Sequence, residues 1–296
     1  MSTNNIFVGT CGWSYDDWKQ VFYPNALKQQ NFLEFYSNIF KTVEIDSSFY
    51  HIPNKNSVIN WDKKTPKNFK FSAKLPQEIT HKGKLDLNKV IPSLKQHWDT
   101  FSPLENSEKM IAHLIQLPPS FTYEKHWNNL ENFLTLWNEF RDDYGNNLRW
   151  CPVVEFRHKS WMKDRTFNLL KETNTAYCAV IEPEVPPRMD ITRKDLFYLR
   201  FHGYGKKPWW NYSFSDKELS KWAEVLNDHF SNYPKTAKVS YFNNHFSGNA
   251  VKNALDLMPM IGVKPVQDLK NIQKMVTQKG NINKSRRSLD KWVNEK

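Results

Sequence analysis

Residues 153–161 read VVEFRHKSW. Val153 and Val154 open the stretch as a buried β-strand opens, and Glu155, Arg157 and His158 then arrive within four positions. Uncompensated charge inside an apolar core is expensive. A strand that runs straight into a carboxylate, a guanidinium and an imidazole is therefore leaving a core and entering a polar site. In a parallel barrel that transition happens at the C-terminal ends of the strands.

The pattern recurs along the chain. Short β-branched or aromatic runs at 6–10, 42–46, 70–74, 110–116, 150–156, 176–181, 196–201 and 237–242 read as eight strands. Helical periodicity follows most of them. Phe32, Tyr36, Ile39 and Phe40 follow the first strand, and Val58 and Trp61 the second. Leu130, Phe133, Leu134 and Trp137 form an apolar stripe after the fourth. After the seventh, Ser215 and Glu218 have capping-box spacing ahead of Leu219, Trp222, Ala223 and Leu226. Val251, Ala254, Leu255 and Met258 follow the eighth. EPEVPPRMD (182–190) is Pro-rich and predicts a loop where a sixth helix would stand. The mean strand spacing, roughly 33 residues, suits a βαβ unit. The expected fold is α/β, a single (β/α)8 TIM-type barrel over residues 1–263, with a basic C-terminal extension at 264–296. A doubly wound sheet is the alternative, but the Gly-rich phosphate loop that often accompanies it is missing.

Composition bounds the setting. The chain has 296 residues and a net charge of +11. The segment from Lys264 to Lys296 holds nine Lys/Arg against three Asp/Glu, so more than half of the net charge sits there. That segment reads either as a solvated basic helix or two, or as a nucleic-acid-binding tail. The three cysteines, Cys11, Cys151 and Cys178, are widely spaced and predict reduced thiols in a cytoplasmic protein. The N-terminus lacks the pattern of a signal peptide, and no apolar run approaches the roughly 18 residues of a membrane span.

Strand alternation assigns the inward side chains. It turns Glu44 and Asp46 into the barrel from the second strand, Lys74 from the third and Glu155 and Arg157 from the fifth. Arg200 and His202 follow from the seventh, and Tyr241 and Asn243 from the eighth. Barrel interiors are ordinarily filled by apolar layers, so this set is either a compensated ion network filling the top layer or a site. The loops after the strands add Trp13 and Tyr15, then Phe49, Tyr50 and His51, then Lys206 and Lys207 beside Trp209, Trp210 and Tyr212. Flat aromatics beside cations suit a ligand with rings and negative charge, and also sugars. There is no GxGxxG, P-loop, HExxH, EF-hand or GxSxG motif. His51, His81, His158, His202 and His245 lie near strand ends, but no close His pair supports a metal site, and none is assigned.

GTCGWSYDDW, VEIDSSFY, FKFSAKLPQEITH, VVEFRHKSW, YLRFHG and YFNNH stand in an order that resembles the YecE-like family, the domain of unknown function 72. The likeness covers roughly residues 6 to 260 and implies a TIM-type barrel without an established reaction. Cys11 and Asp46 stand where serine and asparagine are common in that family. Its suggested likeness to abasic-site endonucleases would imply nucleic-acid binding by analogy of fold.

These readings lead to two expectations of different kind. In the first, the mouth binds a phosphate-bearing ligand for hydrolysis or elimination. Glu44, Glu155 and His202 are then the candidate acid–base groups. Lys74, Arg157 and Arg200 would hold the anion, with Asn243, Trp13, Tyr50 and Trp209 also contacting the ligand. Glu44 and Glu155 as a glycosidase-type carboxylate pair is a variant of it. In the second, the protein is a non-catalytic nucleic-acid-binding module. No cofactor is assigned, and the oligomeric state is left open.

Overall fold

The structure is a computed structural model that describes residues 5–143, 151–206, 208, 211–274 and 277. Its elements in chain order are β1 (Ile6–Thr10), α1 (Phe32–Ser37), β2 (Thr42–Ile45), α2 (Lys55–Lys64), β3 (Lys70–Lys74), α3 (Leu87–Asn106), β4 (Met110–Gln116) and α4 (Tyr123–Asp143). They continue with β5 (Pro152–Glu155), α5 (Asp164–Glu172), β6 (Ala176–Ile181), β7 (Leu196–Phe201), α6 (Asp216–Asn232), β8 (Ala237–Phe242) and α7 (Asn249–Met260). The strands form one sheet in the order β1-β8-β7-β6-β5-β4-β3-β2, and every ladder is parallel. This is the expected (β/α)8 barrel, nearly closed between β1 and β2.

That seam is held by other means than a full ladder. Cys11 bridges Glu44, with Gly12 N donating to Glu44 O at 2.7 Å. Below them the Tyr36 hydroxyl of α1 enters the gap. It accepts from Thr10 N at 3.0 Å and donates to Thr42 O at 3.1 Å, standing in for the missing ladder bonds. The strands approach so closely there that a Cβ on Gly9 would lie 2.3 Å from Thr42 O.

The two faces of each strand go to different cores, as alternation requires. Val43, Ile45, Phe71, Ala73, Val154, Phe156, Leu199, Phe201 and Phe242 pack outward against the helices. Ala112, Leu114, Val153, Cys178, Val180, Tyr198, Val239 and Tyr241 form the barrel interior. Helix α6 begins with the Ser215–Glu218 capping box. Two helices stand where the periodicity named none. Helix α3 carries Pro92 and Pro103 inside it, residues that ordinarily read as breaks, yet buries Val90, Leu94, Phe101 and Leu104 on one side. Helix α5 is short and buries Phe167, Leu169 and Leu170. No helix lies between β6 and β7, where the Pro-rich stretch predicted a loop.

The strand ends are slightly shorter than read: β2 stops at Ile45, and β5 runs from Pro152 to Glu155. Trp150, read into the fifth strand, lies outside the described residues. All three cysteines are free and buried. Residues 264–274 turn back onto the barrel, where Val266 N donates to Ile39 O at 2.9 Å and Ile272 is buried. The rest of the basic extension, apart from Thr277, lies outside the described residues. Among the described residues no helix is long and apolar enough to cross a membrane.

Candidate functional site

Beneath the C-terminal mouth the interior is charged rather than apolar. Arg200 lies at its centre and is 1 % exposed. Its Nη1 donates to Glu155 Oε2 and its Nη2 to Glu44 Oε1, each at 2.7 Å. Nη2 also points at Cys11 Sγ, 3.3 Å away. On the β2 side the Tyr198 hydroxyl donates to Glu44 Oε2 at 2.6 Å and is itself met by Ser72 Oγ at 2.7 Å. On the β5 side Arg157 continues the row. Its Nε bonds Glu155 Oε1, its Nη1 bonds Glu182 Oε2, and its Nη2 donates to His202 Nε2 at 2.8 Å. The Asn243 amide meets His202 Nδ1 at 2.9 Å. One connected network thus links β2, β3, β5, β7 and β8 with the loop after β6.

Above this layer opens a pocket of about 390 Å³. Lys74, Arg157, Asp46 and Asn243 stand on its wall together with His81, His245, Gln116, Phe49 and Tyr50. Lys74 Nζ lies 3.2 Å from Asp46 Oδ1 and 4.0 Å from the centre of the Phe49 ring. A second recess of about 210 Å³ adjoins it, lined by Gly12, Trp13, Ser14, Tyr15 and Ser47, and shares Asp46 and Tyr50 with it. Tyr50, 65 % exposed, stands between the two. The 11–15 loop is rigidly placed. Tyr15 donates to Cys11 O at 2.8 Å and stacks on His245 at 4.7 Å, while Tyr23 donates to Trp13 O at 2.6 Å. His81 is carried by a π-helical turn (Glu78–Lys82) directly after β3, and such widened turns are frequent at functional sites.

Burial and neighbouring charge set the protonation states. Burial pushes the Glu155 carboxyl up, but the guanidinia of Arg157 and Arg200 outweigh this and hold it well below the usual carboxylate range. Asp46 is likewise raised by burial and brought down overall by Lys74 and Arg200. His202 is lowered to about 3 by burial and by Arg157. His81 is lowered to about 4 by burial, Lys74 and Arg157. Both imidazoles are neutral near pH 7. Arg157 Nη2 at Nε2 and Asn243 Nδ2 at Nδ1 are both donors, so a neutral His202 requires the Asn243 amide to be turned over, its oxygen then accepting from a proton on Nδ1. Burial raises Glu182 to about 7, an effect opposed by Arg157 and reinforced by Glu155 and Glu184.

The structure brings most of the sequence-named residues to this one end, but at two depths. Lys74, Arg157, Asn243 and Tyr50 line the larger pocket, and Trp13 lines the smaller. Glu44, Glu155, Arg200 and His202 lie below, fully buried and on neither wall. Arg200, expected to hold an anion, already gives both terminal nitrogens to carboxylates. Trp209, Trp210 and Lys207 lie outside the described residues. His158 instead caps a short turn, accepting from Ser160 N at 3.2 Å. Glu182 went unnoticed in the sequence because it opens the Pro-rich stretch. Strand parity held the signal: Cys178 and Val180 point inward, so the next inward position is 182. Among the described residues no group of three or more His, Cys, Asp or Glu side chains is arranged to hold a metal ion.

Chemically, the wall offers an ammonium, a guanidinium, the two carboxyl groups of Asp46 and Glu184, and two histidines around a cavity of ligand size. The layer beneath fixes Arg157 from three sides.

Comparison with known proteins agrees with this architecture. The chain is 27% identical over 295 residues to the UPF0759 protein YunF of Bacillus subtilis, covering 88% of this chain and 95% of that one. A shorter stretch is 26% identical over 134 residues to the UPF0759 protein YecE of Escherichia coli K12, 40% of this chain and 46% of the relative. Among solved structures, a DUF72 family protein from Thermotoga maritima MSB8 superposes with a TM-score of 0.73 at 28% identity, covering 86% of this chain and 98% of that one. One from Enterococcus faecalis V583 superposes with a TM-score of 0.72 at 23% identity, covering 89% and 98%, and shares the fold. The profile described as "Protein of unknown function DUF72" matches residues 7–277, so this chain belongs to the DUF72 family.

Proposed function

We propose that the barrel mouth is an active site for a small phosphate-bearing molecule, and that the reaction is hydrolysis or elimination at a phosphate or sugar centre. One observation carries the reading. Lys74, Arg157 and Asp46 share one pocket wall, and a buried ion network holds Arg157 in place below it. Such a network stabilises little or nothing relative to an apolar layer. Its position under the mouth is accounted for if it preorganises the wall. Lys74 and the Arg157 N–H groups not given to Glu155, Glu182 or His202 take the anionic group. Asp46, ionised at neutral pH and standing between the two recesses, is the base. The remainder of the ligand, ring-shaped, lies against Tyr50 and Trp13.

The charge balance favours a small ligand over a nucleic-acid strand. On the wall Lys74 and Arg157 face Asp46 and Glu184, and beneath it Arg200 lies between Glu44 and Glu155, so the mouth has no excess of positive charge. Polyanion binding is driven by such an excess. The test has two arms. Inorganic phosphate is titrated while the Arg157 Nε and Lys74 Nζ resonances are followed, and shifts at both are expected. A panel of phosphate monoesters is then assayed for turnover, with Asp46→Asn expected to lower it at least 100-fold without loss of binding. If phosphate moves neither resonance, the reading fails.

A further inference from the structure

Five charged side chains, Glu44, Arg200, Glu155, Arg157 and Glu182, are hydrogen-bonded in a row below the pocket. Four are almost wholly out of water, and Arg157 has an 11% exposed side chain. The row holds three carboxyls and two guanidinia. Fully ionised, it carries one negative charge in excess in a low-dielectric interior, which raises the proton affinity of the carboxyl with the weakest support. Glu155 accepts from both Arg157 and Arg200. Glu44 accepts from Arg200 and from the Tyr198 hydroxyl. Among the described residues Glu182 accepts from Arg157 alone.

We propose that Glu182 is the proton store of the mouth: when a dianion docks on Arg157, Glu182 takes up a proton, so anion binding is proton-coupled. This rests on the reading of the pocket as an anion site. The groups that face Glu182 are Arg157 and Glu155 from the β5 end, Glu184 from its own loop and Arg200 from β7. The two anions among them push its proton affinity up, and Arg157 pulls it down. A dianion on Arg157 weakens that pull and adds repulsion, so the carboxyl protonates and the Arg157 Nη1 group turns its charge toward the ligand. The carboxyl already titrates near neutrality, at about 7, before any ligand arrives. No covalent step is involved; the proton passes between solvent and a Glu182 oxygen. Glu182 is a positioning residue here, since it reaches the ligand only through Arg157.

Inorganic sulfate is the probe, because it stays a dianion across the range. Its binding to the full chain is measured by calorimetry from pH 6 to 9. Affinity is expected to be level below about pH 6.5 and to fall about tenfold per unit above pH 7.5, the slope of one linked proton. At pH 8, heats in two buffers of different ionisation enthalpy should report uptake of about one proton per sulfate. Glu182→Gln keeps the acceptor for Arg157 and should bind with pH-independent affinity. If sulfate binds without proton uptake at pH 8, the role of Glu182 is overturned while the anion site stands. If sulfate fails to bind even at pH 6, both fall. Should the variant not fold, the buffer-pair result on the unmodified chain decides.

Discussion

Arg200 joins Glu44 of β2 to Glu155 of β5 across the barrel interior, donating to each at 2.7 Å. Removing it leaves two carboxylates facing each other in a dry layer. Arg200→Met should therefore destabilise the fold by about 3–5 kcal/mol. Replacing all three residues together, Glu44→Leu, Glu155→Met and Arg200→Met, should recover most of that loss, because a well-packed apolar layer serves a barrel as well. Urea unfolding of both variants measures the difference. A single variant as stable as the parent would show that the three charges are not coupled as drawn.

Lys74 is the cation of the pocket that no buried guanidinium network fixes. Its pair with Asp46, whose side chain is 24% exposed, should contribute no more than about 1 kcal/mol of stability. Lys74→Gln is accordingly expected to fold with nearly unchanged stability and to bind sulfate roughly tenfold more weakly, the loss of a single charge-assisted contact. Burial raises the Asp46 carboxyl, and Lys74 is the largest influence lowering it, so the substitution should move its titration upward. Carbon NMR titration of the Asp46 carboxyl reads this directly, and an unmoved midpoint contradicts the pairing.

Acid should unfold the protein through its neutral histidines. Burial holds His113 and His202 at about 3 and, with Lys74 and Arg157, His81 at about 4, and it also lowers His97, which lies beside His113. Each gains a proton on unfolding below its ordinary value, about 6.5. Glu182 acts in the opposite sense. Its folded value of about 7 lies above the unfolded one, so it releases a proton on unfolding between about pH 4.5 and 7. Four protons taken up against one released leave a net of three. Stability should thus rise with pH by up to about 4 kcal/mol per unit from about pH 5 to 6. Glu182→Gln removes the opposing proton and should steepen that slope to about 5.5 kcal/mol per unit. Unfolding free energies at four pH values give both slopes, and an unchanged slope in the variant would refute a raised Glu182.

Tyr36 should act as the latch of the β1–β2 seam. Tyr36→Phe leaves Thr10 N without its acceptor and Thr42 O without its donor, which should cost about 1–3 kcal/mol. Gly9→Ala should be worse, since the methyl meets Thr42 O head-on. Hydrogen exchange at the Thr10 amide is the local measurement: it should accelerate in Tyr36→Phe while the β6–β7 amides keep the protection expected from the global loss alone.

Much of the molecule was legible before folding. The eight strands declared themselves through β-branched and aromatic runs, six of them at their observed limits. The capping box at Ser215 and the loop in place of a sixth helix were equally local signals. Helix α3 was not legible, because Pro92 and Pro103 suggest breaks, whereas the packing of Val90, Leu94 and Phe101 against the barrel overrides them. Around the site, parity alone turned Glu44, Glu155, Arg157, Arg200 and His202 inward. It contained Glu182 as well, hidden by the prolines that follow it.

What the sequence determined by itself is the periodic part: which segments extend, which coil, and which side of each strand faces the axis. Those depend on residues a few positions apart, where backbone geometry sets the rule. Only the tertiary structure decided depth and partnership. Lys74 and Arg200 are both inward cations on the string, yet one lines a pocket and the other is spent between two carboxylates. That difference arises where β2, β5 and β7 converge, because a side chain's charge is offset by whatever the closed barrel brings within hydrogen-bond reach, from positions 45 and 156 residues away in the case of Arg200.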